Sequence, residues 1–412
     1  MTQTITREAR AQRLDRTDPL RRFAAAFVKA PDVVSYLDGN SLGRPLKSFA
    51  TRVRQFSAQD WGTRLIRRWD EEWMAKPYVL GDRIGAALLG AAPGQTFVGD
   101  STTVLLYKLI RAAVDHQPGR SEIIIDDDNF PTDRFVVEGI AAERGLTIRW
   151  ITSDRTVGVQ LSQVEDALSD RTAAVVLSHV AYRSAAIADM AGITAAAHRV
   201  GALMLWDLCH SIGSVPVRLD ECGVDLAVGC SYKYLNGGPG APAIAYVNSS
   251  LQPSLSQPIW GWMGAADVFA MKAEYEPADD LRRFVSGTPP ILAMLAMEAM
   301  LELIEQVGIE AVRAKSVALT AFAWELLESS VLPMGATMAS PADPAVRGSH
   351  LMVTHPAFRA VVARLWERGV IPDFRAPDGI RLGLSPLSTT FAEVEVGVRA
   401  IAEELETHPA QA

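Results

Sequence analysis

The chain has 412 residues, 49% hydrophobic and 21% charged, the make-up of a globular protein long enough for a large core and two domains. Its net charge of −8, with no Lys/Arg cluster to oppose it, excludes a nucleic-acid surface. No apolar run reaches roughly 18 residues, the polar N-terminus MTQTITREARAQRLDRTD has no signal-peptide core, and Cys209, Cys222 and Cys230 lack disulfide spacing, so neither a membrane nor a secretory route is expected and the setting is reducing and cytoplasmic.

In chain order, residues 1–30 are Arg- and Ala-rich with helical spacing, an arm or first helix. Tyr36–Pro45 is rich in turn formers, and its Gly39-Asn40-Ser41-Leu42-Gly43 loop bends sharply and presents backbone amides. Helices are predicted at Phe49–Phe56, Trp61–Trp73 and Gly81–Leu89, where Trp61, Trp69 and Trp73 read first as aromatic packing. Asp100-Ser101-Thr102-Thr103 precedes the apolar helical run Val104–Val114; such a start seats an anion or simply caps the helix. Glu122–Ile125 predicts a strand that ends in Asp126-Asp127-Asp128, read as a solvated strand end. Asn129-Phe130-Pro131-Thr132-Asp133 then leads into a helix through Ala142. Strands at Leu146–Ile151 and Ala173–Leu177 flank a polar helix near Ser162–Leu168, and Met190–His198 is the next helix. This alternation predicts right-handed βαβ units and a mainly parallel sheet. His179, at a strand end, is as readily a core histidine as a ligand-facing one.

Residues 202–241 carry the chemistry. The apolar run Ala202–Trp206 stops at Asp207, and Asp225–Gly229 stops at Cys230-Ser231-Tyr232-Lys233, before the tight turns of Asn236-Gly237-Gly238-Pro239-Gly240. Open α/β sheets place ligand chemistry at such strand ends. An aspartate there can pair with a cationic ring nitrogen, and a partly desolvated lysine beside it is poised as a nucleophilic amine. Together Asp207 and Lys233 match the needs of pyridoxal 5'-phosphate (PLP). From Ile291 the pattern changes to long helices, Ile291–Gln306, Ile309–Glu328, Ala357–Arg368 and Phe391–Glu404, with strands at Ser349–Val353 and Gly379–Leu384 between them. This predicts a smaller α+β domain, with 1–60 as arm and part of the small domain, 61–300 as the large domain and 301–412 as the small one.

Trp206-Asp207-Leu208-Cys209-His210-Ser211 and Ser231-Tyr232-Lys233-Tyr234-Leu235-Asn236-Gly237-Gly238-Pro239-Gly240 resemble the PLP segments of kynureninases. Tyr36-Leu37-Asp38-Gly39-Asn40-Ser41-Leu42-Gly43 resembles that family's opening motif, and Ser286-Gly287-Thr288-Pro289-Pro290 a fourth, so the likeness runs from about residue 35 to about 400. It implies an α/β, fold-type I PLP enzyme, with a mainly parallel mixed sheet flanked by helices and a smaller α+β C-terminal domain. By the resemblance, Lys233 carries PLP, Asp207 holds the pyridinium proton, and Thr102 and Thr103 take the phosphate. Phe130 stacks on the ring, Asp133 contacts the cofactor, and His210 orients Asp207 or the phenolic oxygen. Trp262 and Thr288 reach the phosphate of the neighbouring subunit, which makes a homodimer with shared active sites. Arg381 takes the substrate α-carboxylate, with Arg375 as competitor; without the resemblance Arg381 reads as a solvated surface residue. Asn40 and Ser41 lie near that carboxylate, and Trp69 borders the aryl pocket. No metal is implied.

The implied reaction is hydrolysis of the Cβ–Cγ bond of L-kynurenine, 3-hydroxykynurenine or a related γ-keto amino acid to an aryl acid and L-alanine, with Lys233 as base and Tyr232 as proton shuttle. Other fold-type I chemistry, a β-lyase, cysteine desulfurase or aminotransferase, is the alternative. Three substrate-side motifs depart from the family: Ala265 where His follows Gly-Trp-x-Gly, Ala181-Tyr182-Arg183-Ser184-Ala185 for Asn-Tyr-Arg-Thr-Gly, and Pro386-Leu387-Ser388 for Pro-Leu-Tyr.

Overall fold

The computed structural model describes residues 6–408, so the outermost residues of the two expected terminal segments lie outside the described residues. Helix α1 (Arg7–Thr17) starts at Thr6, whose hydroxyl accepts from the Ala9 amide at 3.2 Å. The short strand β1 (Ser35–Tyr36) and helices α2 (Lys47–Gln55) and α3 (Lys76–Ile84) follow. The expected helix Trp61–Trp73 is instead a series of short turns at 56–61, 65–67 and 69–73. Leu65, at φ 54°, takes a left-handed conformation that no α-helix continues through.

The central sheet is built from β2 (Thr96–Gly99), β3 (Glu122–Asp126), β4 (Thr147–Ile151), β5 (Thr172–Ser178), β6 (Leu203–Asp207), β7 (Leu226–Cys230) and β8 (Ala243–Val247). Between them run α4 (Thr102–His116), α5 (Pro131–Arg144), α6 (Leu161–Ala167) and α7 (Met190–Arg199). The strand order is β2-β8-β7-β6-β5-β3-β4. β3 to β7 pair in parallel, while β8 runs antiparallel to β2 and β7. β2 and β8 were not legible in the sequence, being four- and five-residue pieces without a flanking pattern. The inner strands are continuous Ala/Val/Ile/Leu runs, as strands covered on both faces require. Trp206 is fully buried, worth roughly 2–3 kcal/mol of hydrophobic transfer, and its indole N–H donates to Thr194 Oγ1 at 3.1 Å.

The C-terminal part contains α8 (Ile291–Val307), α9 (Ile309–Ser330), β9 (Thr337–Met338), β10 (His350–Thr354), α10 (Phe358–Glu367), β11 (Val370–Ile371), β12 (Asp373–Arg375), β13 (Gly379–Gly383) and α11 (Phe391–Thr407). Its antiparallel sheet has the order β12-β13-β10-β9, and β11 pairs in parallel with β1. Ala11 and Leu37 join the core of this part, against residues such as Phe322, Leu351, Phe358 and Val394. The Asp15 carboxylate accepts from the Phe391 and Ala392 amides at 2.8 and 3.0 Å, an anion on the N-terminus of α11. Phe23, Phe27, Leu46 and Phe56 instead join the core under the main sheet, as do Met294, Met297 and Leu301 of α8. By length and composition, the stretch Ile309–Met334 passes for a membrane span. In the fold, Leu319, Phe322, Leu326 and Leu327 of α9 join the small core, and Lys315 is buried in an ion pair with Asp18.

Candidate active site

β5 and β6 end level, Ser178 in register with Asp207, and β7 runs two residues past Val228, the partner of Asp207, to Cys230. The segments that leave these ends deliver His179, Asp207, His210, Tyr232 and Lys233 to one rim of the sheet. The loop 39–43 closes over that rim: the Gly43 amide donates to the Tyr232 carbonyl at 2.8 Å, and a Cβ on Gly43 would sit 2.4 Å from the Lys233 carbonyl oxygen. Only glycine permits that approach.

Asp207 is buried, and its Oδ1 accepts from the Cys209 amide at 2.7 Å, which fixes the carboxylate. Ser178 Oγ lies 3.5 Å from its Oδ2 and donates to Asn129 Oδ1 at 2.9 Å. Asp133, in the first turn of α5, is also buried; burial, then the neighbouring Asp207, push its carboxyl well above the usual range. Asp133 Oδ2 has no partner.

Lys233 is 8% exposed, with Nζ 3.4 Å from His210 Nε2 and 3.5 Å from Nδ1. Burial, then Lys233 and Arg381, depress the His210 pKa well below that of free imidazole, so His210 is neutral. Nζ also lies 5.9 Å from the ring centroids of Phe130 and Tyr232. The Tyr232 phenol is held protonated chiefly by burial. Tyr182 packs edge-on to Phe130 at 5.3 Å, and Arg183 anchors it by donating to the phenol oxygen at 2.9 Å.

Arg381 is 1% exposed, not the solvated residue that its sequence context alone suggests. It donates to the Tyr182 carbonyl and Ser41 Oγ, each at 2.7 Å, and pairs with Asp373 at 2.8 Å. Its Nε donates to the Asn40 amide oxygen at 2.8 Å, and its NH1 comes within 3.5 Å of His210 Nε2. Asn40 is pressed against the backbone at Gly383, where a Cβ would come within 1.8 Å of its side-chain amide. Asn40, Ser41, His210, Lys233 and Arg381 therefore form one contiguous cluster.

Thr102, Thr103, Thr288, Trp262 and Trp69 are not brought into this cluster. Ser101 caps α4 through the Val104 amide, leaving Thr102 and Thr103 in the first turn. Thr288 is exposed and shares with Ser101 and Gly240 the wall of a cavity of about 380 Å³. Trp262 is exposed on a short turn beside Ala265 and Tyr275. Trp69 packs edge-on to Trp73 at 5.3 Å, in an aromatic cluster with Phe56. His179 is a core residue: its Nδ1 is 2.9 Å from Ser211 Oγ, and burial lowers its pKa to about 4. Asp126 is not a solvated strand end; burial, then Asp128, raise its pKa to about 7.

Two residues escaped the sequence reading. His350, at the start of β10, packs its ring tilted at 53° to that of His210, centroids 5.3 Å apart, and both of its nitrogens lack partners. No motif marks it. Asp373 sits in a Asp-x-Arg alternation that a strand reading of 373–375 would have shown to be one-sided.

A family model described as Aminotransferase class-V matches residues 86–349, and one described as Kynureninase C-terminal domain matches 312–401. A kynureninase of Pseudomonas fluorescens is 40% identical over 401 residues, 95% of this chain and 94% of that one. A kynureninase of Burkholderia pseudomallei (strain 1106a) is 40% identical over 409 residues, 98% of this chain and 96% of that one. Among solved structures, the apo structure of a cysteine desulfurase from Thermococcus onnurineus NA1 has a TM-score of 0.79 at 18% identity, covering 90% of this chain and 95% of that one. The cysteine desulfurase CsdA from Escherichia coli gives 0.78 at 17%, covering 94% and 98%. At such identities these structures speak for the fold alone, that of fold-type I PLP enzymes. The identity to two kynureninases, sustained over nearly the whole of each chain, settles the kinship: the chain belongs to the kynureninase family.

Proposed function

We propose that the protein hydrolyses the Cβ–Cγ bond of L-kynurenine, 3-hydroxykynurenine or a related γ-keto amino acid, releasing an aryl acid and L-alanine, with pyridoxal 5'-phosphate as cofactor. One observation carries the reading: in a chain of this family, a buried lysine amine meets a neutral histidine at 3.4 Å, and that histidine meets a buried guanidinium at 3.5 Å, all beside a buried carboxyl pair.

The residues fit the cofactor. Lys233 is a buried amine whose nearest polar neighbour is His210 rather than a carboxylate, so it is free for covalent attachment. Asp207, buried and oriented by the Cys209 amide, would hold a pyridinium N–H, with Asp133, buried beside it, in contact with the cofactor. Thr102 and Thr103 at the N-terminus of α4 would take the phosphate, Phe130 the ring face, and His210 and Tyr232 the polar edge. When bound, PLP supplies a cationic ring that accepts electrons from the substrate α-carbon.

The chain's own residues supply the rest. Arg381 orients the α-carboxylate by parallel N–H bonds, with Asn40 and Ser41 bracing the guanidinium. Lys233 Nζ takes the α-proton, and the Tyr232 hydroxyl, kept protonated by burial, delivers a proton to Cβ. Water adds at the γ-carbonyl, and the acyl fragment leaves as the acid. Trp69 offers the aryl ring a flat wall. Ala181, Ala185, Ala265 and Ser388 stand where the family carries Asn, Gly, His and Tyr, so fewer polar partners are left for a ring hydroxyl, and discrimination between kynurenine and its 3-hydroxy form is weak.

A homodimer with shared sites is part of the reading. It is supported by Trp260, Trp262, Phe269 and Met271, all exposed on one segment, and by an apolar groove of about 750 Å³ lined by Leu42, Phe49, Ile291 and Leu292. Three free cysteines support a reducing, cytoplasmic location. The test is incubation of the holoenzyme with L-kynurenine and with 3-hydroxykynurenine. Alanine released together with anthranilate or its 3-hydroxy form is expected; pyruvate and ammonia, or a keto acid, would replace this reading with elimination or transamination.

A further inference from the structure

A carboxylate already occupies Arg381. Asp373 and Arg381 are opposite residues in the β12–β13 ladder, and Arg375, two positions from Asp373, shares its face of the strand. The geometry follows that register: Asp373 Oδ2 accepts from Arg375 Nε at 2.6 Å and lies 2.8 Å from the Arg381 NH2 nitrogen. One oxygen is therefore shared by two guanidinium groups.

Arginine has five N–H donors. In Arg381 they serve Asn40, Tyr182, Ser41 and Asp373, and the last faces His210 at 3.5 Å. A substrate carboxylate gripped through two parallel N–H bonds must therefore displace a partner. Losing Tyr182 or Asn40 would strand a buried polar group, and Ser41, only half-buried, is a neutral hydroxyl with no second cation to take it over. Losing Asp373 strands nothing, because Arg375 already holds the same oxygen and the remaining donors of its half-buried guanidinium have no other acceptor. Asp373 also has the chemistry of the incoming group, so the exchange replaces one carboxylate by another.

We propose that Asp373 is a positioning residue that stands in for the substrate carboxylate on Arg381, and that binding of an α-amino acid hands it over to Arg375. This rests on Arg381 as the carboxylate anchor of the proposed reaction. Arg375 is the acceptor of the displaced carboxylate, not a second substrate anchor. The arrangement keeps Arg381 paired and aligned before substrate arrives, and favours ligands with a full carboxylate, which alone compete with Asp373.

The test is titration of holoenzyme with L-alanine and with L-alaninamide, followed by the visible absorbance of the bound cofactor; it does not depend on turnover of kynurenine. Asp373→Asn is expected to tighten L-alanine by about threefold and leave L-alaninamide unchanged, the scale of a partly exposed ion pair. Arg375→Gln is expected to weaken L-alanine by about threefold in the wild-type background and to have no effect in Asp373→Asn. Weaker L-alanine binding in Asp373→Asn, or an equal effect of Arg375→Gln in both backgrounds, would make Asp373 a plain structural counter-ion and overturn the proposal.

Discussion

Nζ of Lys233 lies 3.4 Å from one nitrogen of His210 and 3.5 Å from the other, so the amine addresses the imidazole as a whole and not a single lone pair. A charged imidazole could not sit there; burial and two cationic neighbours keep His210 neutral. Lys233→Ala is therefore expected to lower kcat with L-kynurenine by about 10²–10⁴-fold, the usual range for a lost acid–base group, with the far-UV spectrum unchanged. Steady-state kinetics on reconstituted protein decide it, and near-normal turnover would sink the site.

The two buried carboxyls have unequal roles. Burial and Asp207 push the Asp133 carboxyl toward its neutral form, so Asp133→Asn should cost less than about tenfold in kcat, the scale of one hydrogen bond. Asp207→Asn alters the group proposed to pair with the cofactor's ring nitrogen and should cost about 10²-fold or more. Equal losses in the two variants would show that the assignment is wrong.

Arg381→Lys is not conservative at this position. A lysine cannot serve Asn40, Ser41, Tyr182 and Asp373 from one planar fork. Loss of the charged hydrogen bonds to substrate, about 1.5–3 kcal/mol, predicts a rise in KM of roughly ten- to a hundredfold with a smaller change in kcat.

Ala185 stands in the left-handed region at φ 65°, where the family motif has glycine. The strain, about 1–2 kcal/mol, is offset by the buried methyl, about 0.8 kcal/mol, and by the entropy that glycine would lose, about 0.5–1 kcal/mol. Ala185→Gly should thus shift stability by less than about 1 kcal/mol. Ala185→Val, which adds branching in a conformation β-branched residues avoid, should destabilise by about 2 kcal/mol or more. Urea midpoints measure both.

Asp126 sets a pH dependence of stability. Its carboxyl titrates at about 7 in the fold, against roughly 3.9 in an unfolded chain. Between those values the native state binds more protons, so its contribution falls as pH rises through that window. Asp126→Asn stays neutral and escapes the loss. Its stability relative to the wild type should therefore be greater at about pH 8 than at about pH 5, by on the order of 2 kcal/mol. A difference independent of pH would refute the buried, protonated carboxyl.

Much of the site could be read locally. Asp207 and Lys233 each follow an apolar strand, and strand period, turn residues and the motif around each are properties of a few consecutive residues. The parallel sheet and the long C-terminal helices were legible for the same reason: their apolar positions repeat at a fixed spacing. The break at Leu65, which divides the expected Trp61–Trp73 helix, was not, since nearby Gly62 keeps helical angles and a leucine takes the left-handed turn.

What only the tertiary structure decided are the partnerships between residues far apart in the chain. Arg381 becomes a buried cation because Ser41, 340 positions earlier, reaches it, while Arg375 is held by Asp373. The burial of Asp126, the pairing of His210 with His350, and the seating of α1 on α11 arise in the same way. The chain by itself determined which residues carry charge or a nucleophile and which strand end each leaves. Folding determined which of them lose water and face one another, because desolvation and Coulomb interaction depend on distance in space, and a linear pattern does not encode that distance.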